Sequence, residues 1–124
     1  MEAAMAMEKR IEIFILTVDE LVSRTRSLHD EGYRLVQICC SKVDESGKAV
    51  LELDYTFDKH YNLYNIRISI EEGAEIPSIS EIFGSAFVYE NEIHDLYGVS
   101  IQGISIDYRG NFYKTAMPHP FTQD

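Results

Sequence analysis

Hydrophobic and polar positions alternate most cleanly in the middle of the chain. Ala49, Leu51, Leu53, Tyr55 and Phe57 interleave with Val50, Glu52, Asp54 and Thr56, and Tyr64, Ile66, Ile68 and Ile70 interleave with Leu63, Asn65, Arg67 and Ser69. A period of two puts one set on a buried face and the other in water, so both runs predict half-buried strands. Residues 34–43 and the β-branched run 10–16 (Arg-Ile-Glu-Ile-Phe-Ile-Leu) predict two more. Asp44-Glu45-Ser46-Gly47-Lys48 and residues 58–62 are turns short enough to make antiparallel hairpins.

The period changes to that of a helix in two places. After the Thr17/Glu20 capping box, Val18, Leu21, Val22, Thr25 and Leu28 recur on one stripe until Gly32. Asp19 and Glu20 stand in the first turn and Arg24, Arg26 and His29 further on, as the helix dipole favours. Residues 77–97 predict the second helix. It has a Ser78/Glu81 capping box behind Pro77, and Gly98 in the left-handed position beyond its end. Gly84 is a candidate break, with Ser85 as a new cap. Ile79, Ile82, Phe83, Ala86, Ile93 and Tyr97 share a stripe at about 100° per residue, and Glu90 falls inside it. Glu92 and Asp95 fall on the opposite face.

A short edge strand is expected within 100–108, and no periodic signal follows Gly110. Residues 1–8 and 114–124 read as extended segments of one domain covering 1–124. The resulting order is β-α-β-β-β-α-β. It predicts an α+β fold with a mixed, mainly antiparallel sheet and its helices on one face.

Composition narrows the function. Lys plus Arg is 11 against 21 Asp plus Glu, a net charge of −10. A negative surface disfavours nucleic acid and anionic lipid as direct partners. No apolar run reaches the roughly 18 residues a membrane helix needs, and Met1–Met7 lacks the basic start and apolar core of a signal peptide. Cys39 and Cys40 are neighbours on a strand, so their side chains point to opposite faces and cannot ligate one metal together.

Searching for chemistry finds no constellation that outweighs a structural reading. Glu90 and His94 share a helix face, but two ligands are too few for a metal site. His29, His60, His94 and His119 have no ligand spacing, and Gly47-Lys48 lacks the other glycines of a phosphate loop. No cysteine cluster could hold iron–sulfur. The aromatic residues of the second half fit core packing. Phe112, Tyr113 and Phe121 are also candidates for interface anchors. Two roles are open to Glu90: accepting backbone N–H groups of its own domain, or pairing across a subunit boundary.

The run Glu90-Asn91-Glu92-Ile93-His94-Asp95-Leu96-Tyr97-Gly98-Val99, preceded by Pro77-Ser78-Ile79-Ser80 and Ala86, resembles the signature of the thirty-kilodalton subunit of respiratory NADH–quinone oxidoreductase. That family also contains the equivalent subunit of the energy-converting membrane-bound nickel–iron hydrogenases. The family signature reads Glu-Arg-Glu, two residues, an acid, an apolar residue, an aromatic and Gly. Here Asn91 replaces the Arg, and Gly103-Ile104-Ser105 stands where respiratory subunits carry Gly-His-Pro. These departures favour the hydrogenase-type subunit.

The resemblance implies a non-catalytic subunit with no cofactor of its own. It would dock a hydrogenase-like large subunit and an iron–sulfur small subunit, which carry the nickel–iron centre and the clusters. It implies a peripheral place on the cytoplasmic side of the cell membrane, reached only through partners. Glu90, Asn91, Glu92, Asp95, Tyr97, Phe112 and Tyr113 are the expected interface residues. The alternatives are the equivalent subunit of an NADH/quinone-type complex, a free-standing acidic binding module, and an enzyme whose site assembles only in three dimensions.

Overall fold

The computed structural model describes residues 10–45 and 47–104. Their elements run β1 (Arg10–Ile15), α1 (Val18–Asp30), β2 (Arg34–Glu45), β3 (Lys48–Lys59), β4 (Asn62–Glu71), β5 (Glu75–Pro77), α2 (Ala86–Tyr97) and β6 (Ser100–Gln102). The four long strands form one sheet in the order β1-β4-β3-β2. β2, β3 and β4 pair antiparallel through tight hairpins, and β1, which leads into α1, lies parallel to β4. The fold is therefore the expected α+β arrangement, with a mixed and mainly antiparallel sheet.

Alternation decides the two faces of that sheet. Leu53, Tyr55, Phe57 and Ile66 are fully buried on one face, and Leu53, Phe57 and Ile66 each contribute roughly 1.5–3 kcal/mol by leaving water. The two helices cover this face. Helix α1 buries Leu21, Thr25 and Leu28, and its Arg24 Nη1 donates to the Tyr64 hydroxyl. The opposite face is polar at its centre. Arg67 donates to both oxygens of Asp54 at 2.8 and 3.2 Å, Asn65 Nδ2 donates to Asp54 at 3.1 Å, and the Thr56 hydroxyl donates to Asn65 at 2.7 Å.

The Thr17/Glu20 box forms as the sequence predicts. The Thr17 N–H and hydroxyl both donate to Glu20 Oε1, at 2.9 and 3.1 Å, and these bonds hold the Glu20 carboxyl below its ordinary pKa. The β3–β4 turn is less expected. His60 and Tyr61, its two central residues, both have positive φ (49° and 70°), the geometry that hairpins usually reserve for Asn-Gly.

Three expectations need correction. The second helix starts at Ala86, not 77. Pro77 ends the short strand β5, and residues 78–83 make turn hydrogen bonds, such as Phe83 N–H to the Ile79 carbonyl at 2.9 Å. Ser85 takes the N-cap position after Gly84, with no side-chain cap bond. The Ser78/Glu81 box does not exist, because the Ser78 hydroxyl is engaged elsewhere. Finally, β6 does not extend the main sheet. It pairs in parallel with β5 in a separate two-stranded sheet and ends before Gly103, whose φ is +82°. The remainder of the expected strand, at 105–108, lies outside the described residues, as do 1–8 and 114–124.

Candidate functional site

Helix α2 is held against β2, where the Tyr89 hydroxyl donates to the Val36 carbonyl at 3.0 Å. On its other side lie the 78–85 connector and β6. It buries two stripes. Ala86, Glu90 and Ile93 form one, while Asn91 and Asp95 lie roughly opposite at about 100° per residue. Asp95 thus lies on the face opposite Glu90, as its spacing predicts, and that face is buried at Asp95.

Glu90 has no exposed surface. Its carboxylate accepts the Ser78 hydroxyl at 2.6 Å and the Ile79 N–H at 2.8 Å. Ser78 Oγ in turn accepts the Ser80 N–H at 2.9 Å and lies 2.7 Å from Ser80 Oγ. The acid on the apolar stripe thus satisfies buried donors of its own chain, and it fixes the connector between β5 and α2. Burial pushes the Glu90 pKa up to about 7, against the lowering effect of the Ser78 and Ile79 bonds. The cluster accommodates both charge states. The ionised carboxylate accepts from Ser78, whereas a proton on Oε1 can be donated to Ser78 Oγ, leaving Oε2 to accept from Ile79. The Tyr55 hydroxyl is buried without a hydrogen-bond partner among the described residues. Burial and the charge of Glu90 raise the Tyr55 pKa.

The other predicted site residues separate. Asn91 is fully buried and donates to the Phe87 carbonyl at 2.8 Å. Asp95 is also fully buried. Glu92 and Tyr97 are partly exposed; burial first, and then the Glu92 charge among others, raises the pKa of Tyr97 and of Cys39 on β2. Glu92 and Tyr97 are thus the partly exposed members of the set, while Glu90 and Asn91 bond within the chain. Phe112 and Tyr113 lie outside the described residues. Gly98 takes the predicted left-handed conformation (φ 74°, ψ 18°), and its N–H donates to the His94 carbonyl at 2.9 Å.

His94 Nδ1 lies 3.0 Å from the Val99 carbonyl, while the Glu90 carboxylate is bonded to Ser78 and Ile79. Among the described residues no three His, Cys, Asp or Glu side chains gather to hold a metal. Burial pushes the Cys40 thiol up to about 12 and raises that of Cys39, so neither is an activated nucleophile. A pocket of about 210 Å³ is lined by His94 and residues 100–104, below the usual 300–1,000 Å³ of a ligand cleft. No helix among the described residues is long and apolar enough to cross a membrane.

These features define an α+β scaffold whose buried Glu90 bonds within its own chain. Residues 14–124 match the sequence pattern of the respiratory-chain NADH dehydrogenase 30 Kd subunit. The chain belongs to that family. Similar curated proteins include the NADH-quinone oxidoreductase subunit designated C in Rickettsia conorii, 37% identical over 60 residues (41% of this chain, 25% of the relative). Its counterpart in a Chelativorans species is 37% identical over 65 residues (46% of this chain, 32% of the relative). The matched stretches thus span a quarter to a third of those relatives. The fold is similar to a chain in a solved structure of the membrane-bound sulfane sulfur reductase, an archaeal respiratory membrane complex. The TM-score is 0.69 at 20% identity, covering 83% of this chain and 63% of that one.

Proposed function

We propose that the chain is a non-catalytic subunit of a membrane-bound, complex I-like oxidoreductase. The observation that carries this reading is the family match over residues 14–124. The role is positional: the chain holds a hydrogenase-like large subunit and an iron–sulfur small subunit in register, and those partners carry the metal centres. It sits peripherally on the cytoplasmic side and reaches the membrane through them. Asn91 and the Gly103-Ile104-Ser105 departure favour the energy-converting nickel–iron hydrogenase version, which couples ferredoxin-linked proton reduction to ion translocation. The names of the curated relatives favour a second reading, an NADH/quinone-linked complex.

The test is purification of the tagged chain from detergent-solubilised membranes, with identification of its companions and assay for nickel and iron. Recovery with cluster-bearing redox subunits is expected. Nickel in that material selects the hydrogenase version, and iron without nickel selects the quinone-linked one. Recovery of the native chain free of any redox subunit would sink the proposal.

A further inference from the structure

The edge of the main sheet at β1 is built to accept another strand. The Leu16 N–H donates to the Arg67 carbonyl at 3.0 Å, and Phe14 is the register partner of Ile66. Backbone direction alternates along a strand. Glu12, Phe14 and Leu16 therefore spend their N–H and C=O groups on β4, while those of Ile11, Ile13 and Ile15 point away from the sheet. Among the described residues no strand pairs with that side. The same three residues carry exposed apolar side chains, at 63%, 50% and 76% of full exposure. They line the outer face beside Leu63, Asn65 and Arg67, their register partners. Edge strands are usually protected by proline, lysine or a bulge. β1 contains no proline or lysine, and its pairing with β4 is regular over all six residues.

We infer that β1 docks an extended segment of a partner subunit by strand addition, with Ile11, Ile13 and Ile15 supplying both the free backbone groups and the apolar stripe. The occupant has apolar residues at every second position, to continue the stripe, and Lys or Arg beside them. Charge sets that second requirement. Glu12 lies on β1 and Asp19 and Glu20 just beyond it, all three exposed, and they outnumber the strand's one cation, Arg10. The chain carries a net −10. A second copy would bring the same carboxylates and the same net charge to the contact, whereas a basic-flanked strand is attracted. Backbone pairing supplies affinity and the alternate side chains supply selectivity. The identity of the partner rests on the proposed function; the strand-addition geometry does not.

Ile13→Pro tests the geometry directly. It deletes an outward N–H while leaving the inward bonds of Phe14 and Leu16 to β4, so the free chain should keep its melting temperature. Its retention in the complex purified from membranes should fall at least about tenfold. Ile15→Lys, which keeps every backbone group, is the second variant and should also lower retention. Hydrogen exchange supplies an independent reading: the amides of Ile11, Ile13 and Ile15 should exchange quickly in the free chain and become protected in the complex. Wild-type retention by both folded variants, or unprotected amides in the complex, would overturn the inference while leaving the proposed function standing. Conversely, if the companions are not redox subunits but the three amides are protected and Ile13→Pro loses the companions, the proposed function falls and the edge inference stands. A dimer of this chain abolished by Ile13→Pro would overturn the choice of a partner strand.

Discussion

The β1 edge and the Glu90 cradle hold their polar groups in opposite ways. At β1, three isoleucines are at least half exposed, and their outward backbone groups pair with no strand among the described residues. Around Glu90, a carboxyl with no exposed surface is bonded to a hydroxyl and a backbone N–H twelve and eleven residues away. Water can solvate the outward backbone groups of the first region, so they are free to serve an outside partner. The second has no water to fall back on, so each of its groups is committed to the chain's own stability. Family resemblance alone directs attention to Glu90 as a contact with another subunit. The geometry makes it a contact between α2 and the connector that leads into it.

The contrast is tested most forcefully at Glu90. Glu90→Ala should destabilise the free chain by about 3 kcal/mol, because it strands the Ile79 N–H and leaves a cavity. Denaturant unfolding at pH 5 is the measurement, since the side chain is then neutral in the folded protein and its desolvation does not mask the loss. An unchanged midpoint would mean that the cradle is not closed.

The next effect is on pH dependence. Glu90 titrates near 7 when folded, against an ordinary value of 4.5. Between those values the folded state holds a proton that the unfolded state has released. The resulting stabilisation is complete below about 4.5, is lost as pH rises towards 7, and stays absent above that; it is on the order of 3 kcal/mol. Glu20, whose pKa is lowered, acts in the opposite sense at lower pH. The net charge of −10 also makes a rise in pH unfavourable. The diagnostic is therefore the difference between wild type and Glu90→Gln, whose stability curves should diverge across about pH 4.5–7 and run parallel above it.

A smaller effect belongs to the β3–β4 turn. Tyr61→Gly should stabilise the chain by about 1 kcal/mol by relieving a left-handed conformation in a residue with a Cβ. A lower melting temperature would show that the Tyr61 ring holds the turn. Smallest of all, Ile15→Ser at the open edge should change stability by less than about 0.5 kcal/mol. A larger loss would mean that the isoleucine stripe is covered within the chain, and the contrast between the two regions would disappear.

Much of the fold was legible in the sequence because it rests on local patterns. Alternation at 49–57 and 63–70 marks which residues face the core, and the Thr17/Glu20 box and Gly98 mark helix ends by backbone chemistry that needs no distant partner. The Ser78/Glu81 pair shows where that reasoning stops. Its spacing is that of a capping box, but Ser78 bonds instead to Glu90, twelve residues on. Nothing in residues 77–81 themselves carries that information. Asp95 falls opposite Glu90 as its spacing predicts, but its burial depends on what packs over that face, which periodicity does not report.

Residue type and short-range spacing sufficed for the main strands, the first helix and the acidic character, and the resemblance of residues 77–99 to a known signature pointed to the family. Three features had to wait for the folded chain: Glu90 as an internal acceptor, the pairing of β6 with β5, and the place of Ile11, Ile13 and Ile15 at an open edge. Each of these depends on which distant segment arrives beside a group, and burial, pairing and titration are set by that neighbour rather than by the residue alone.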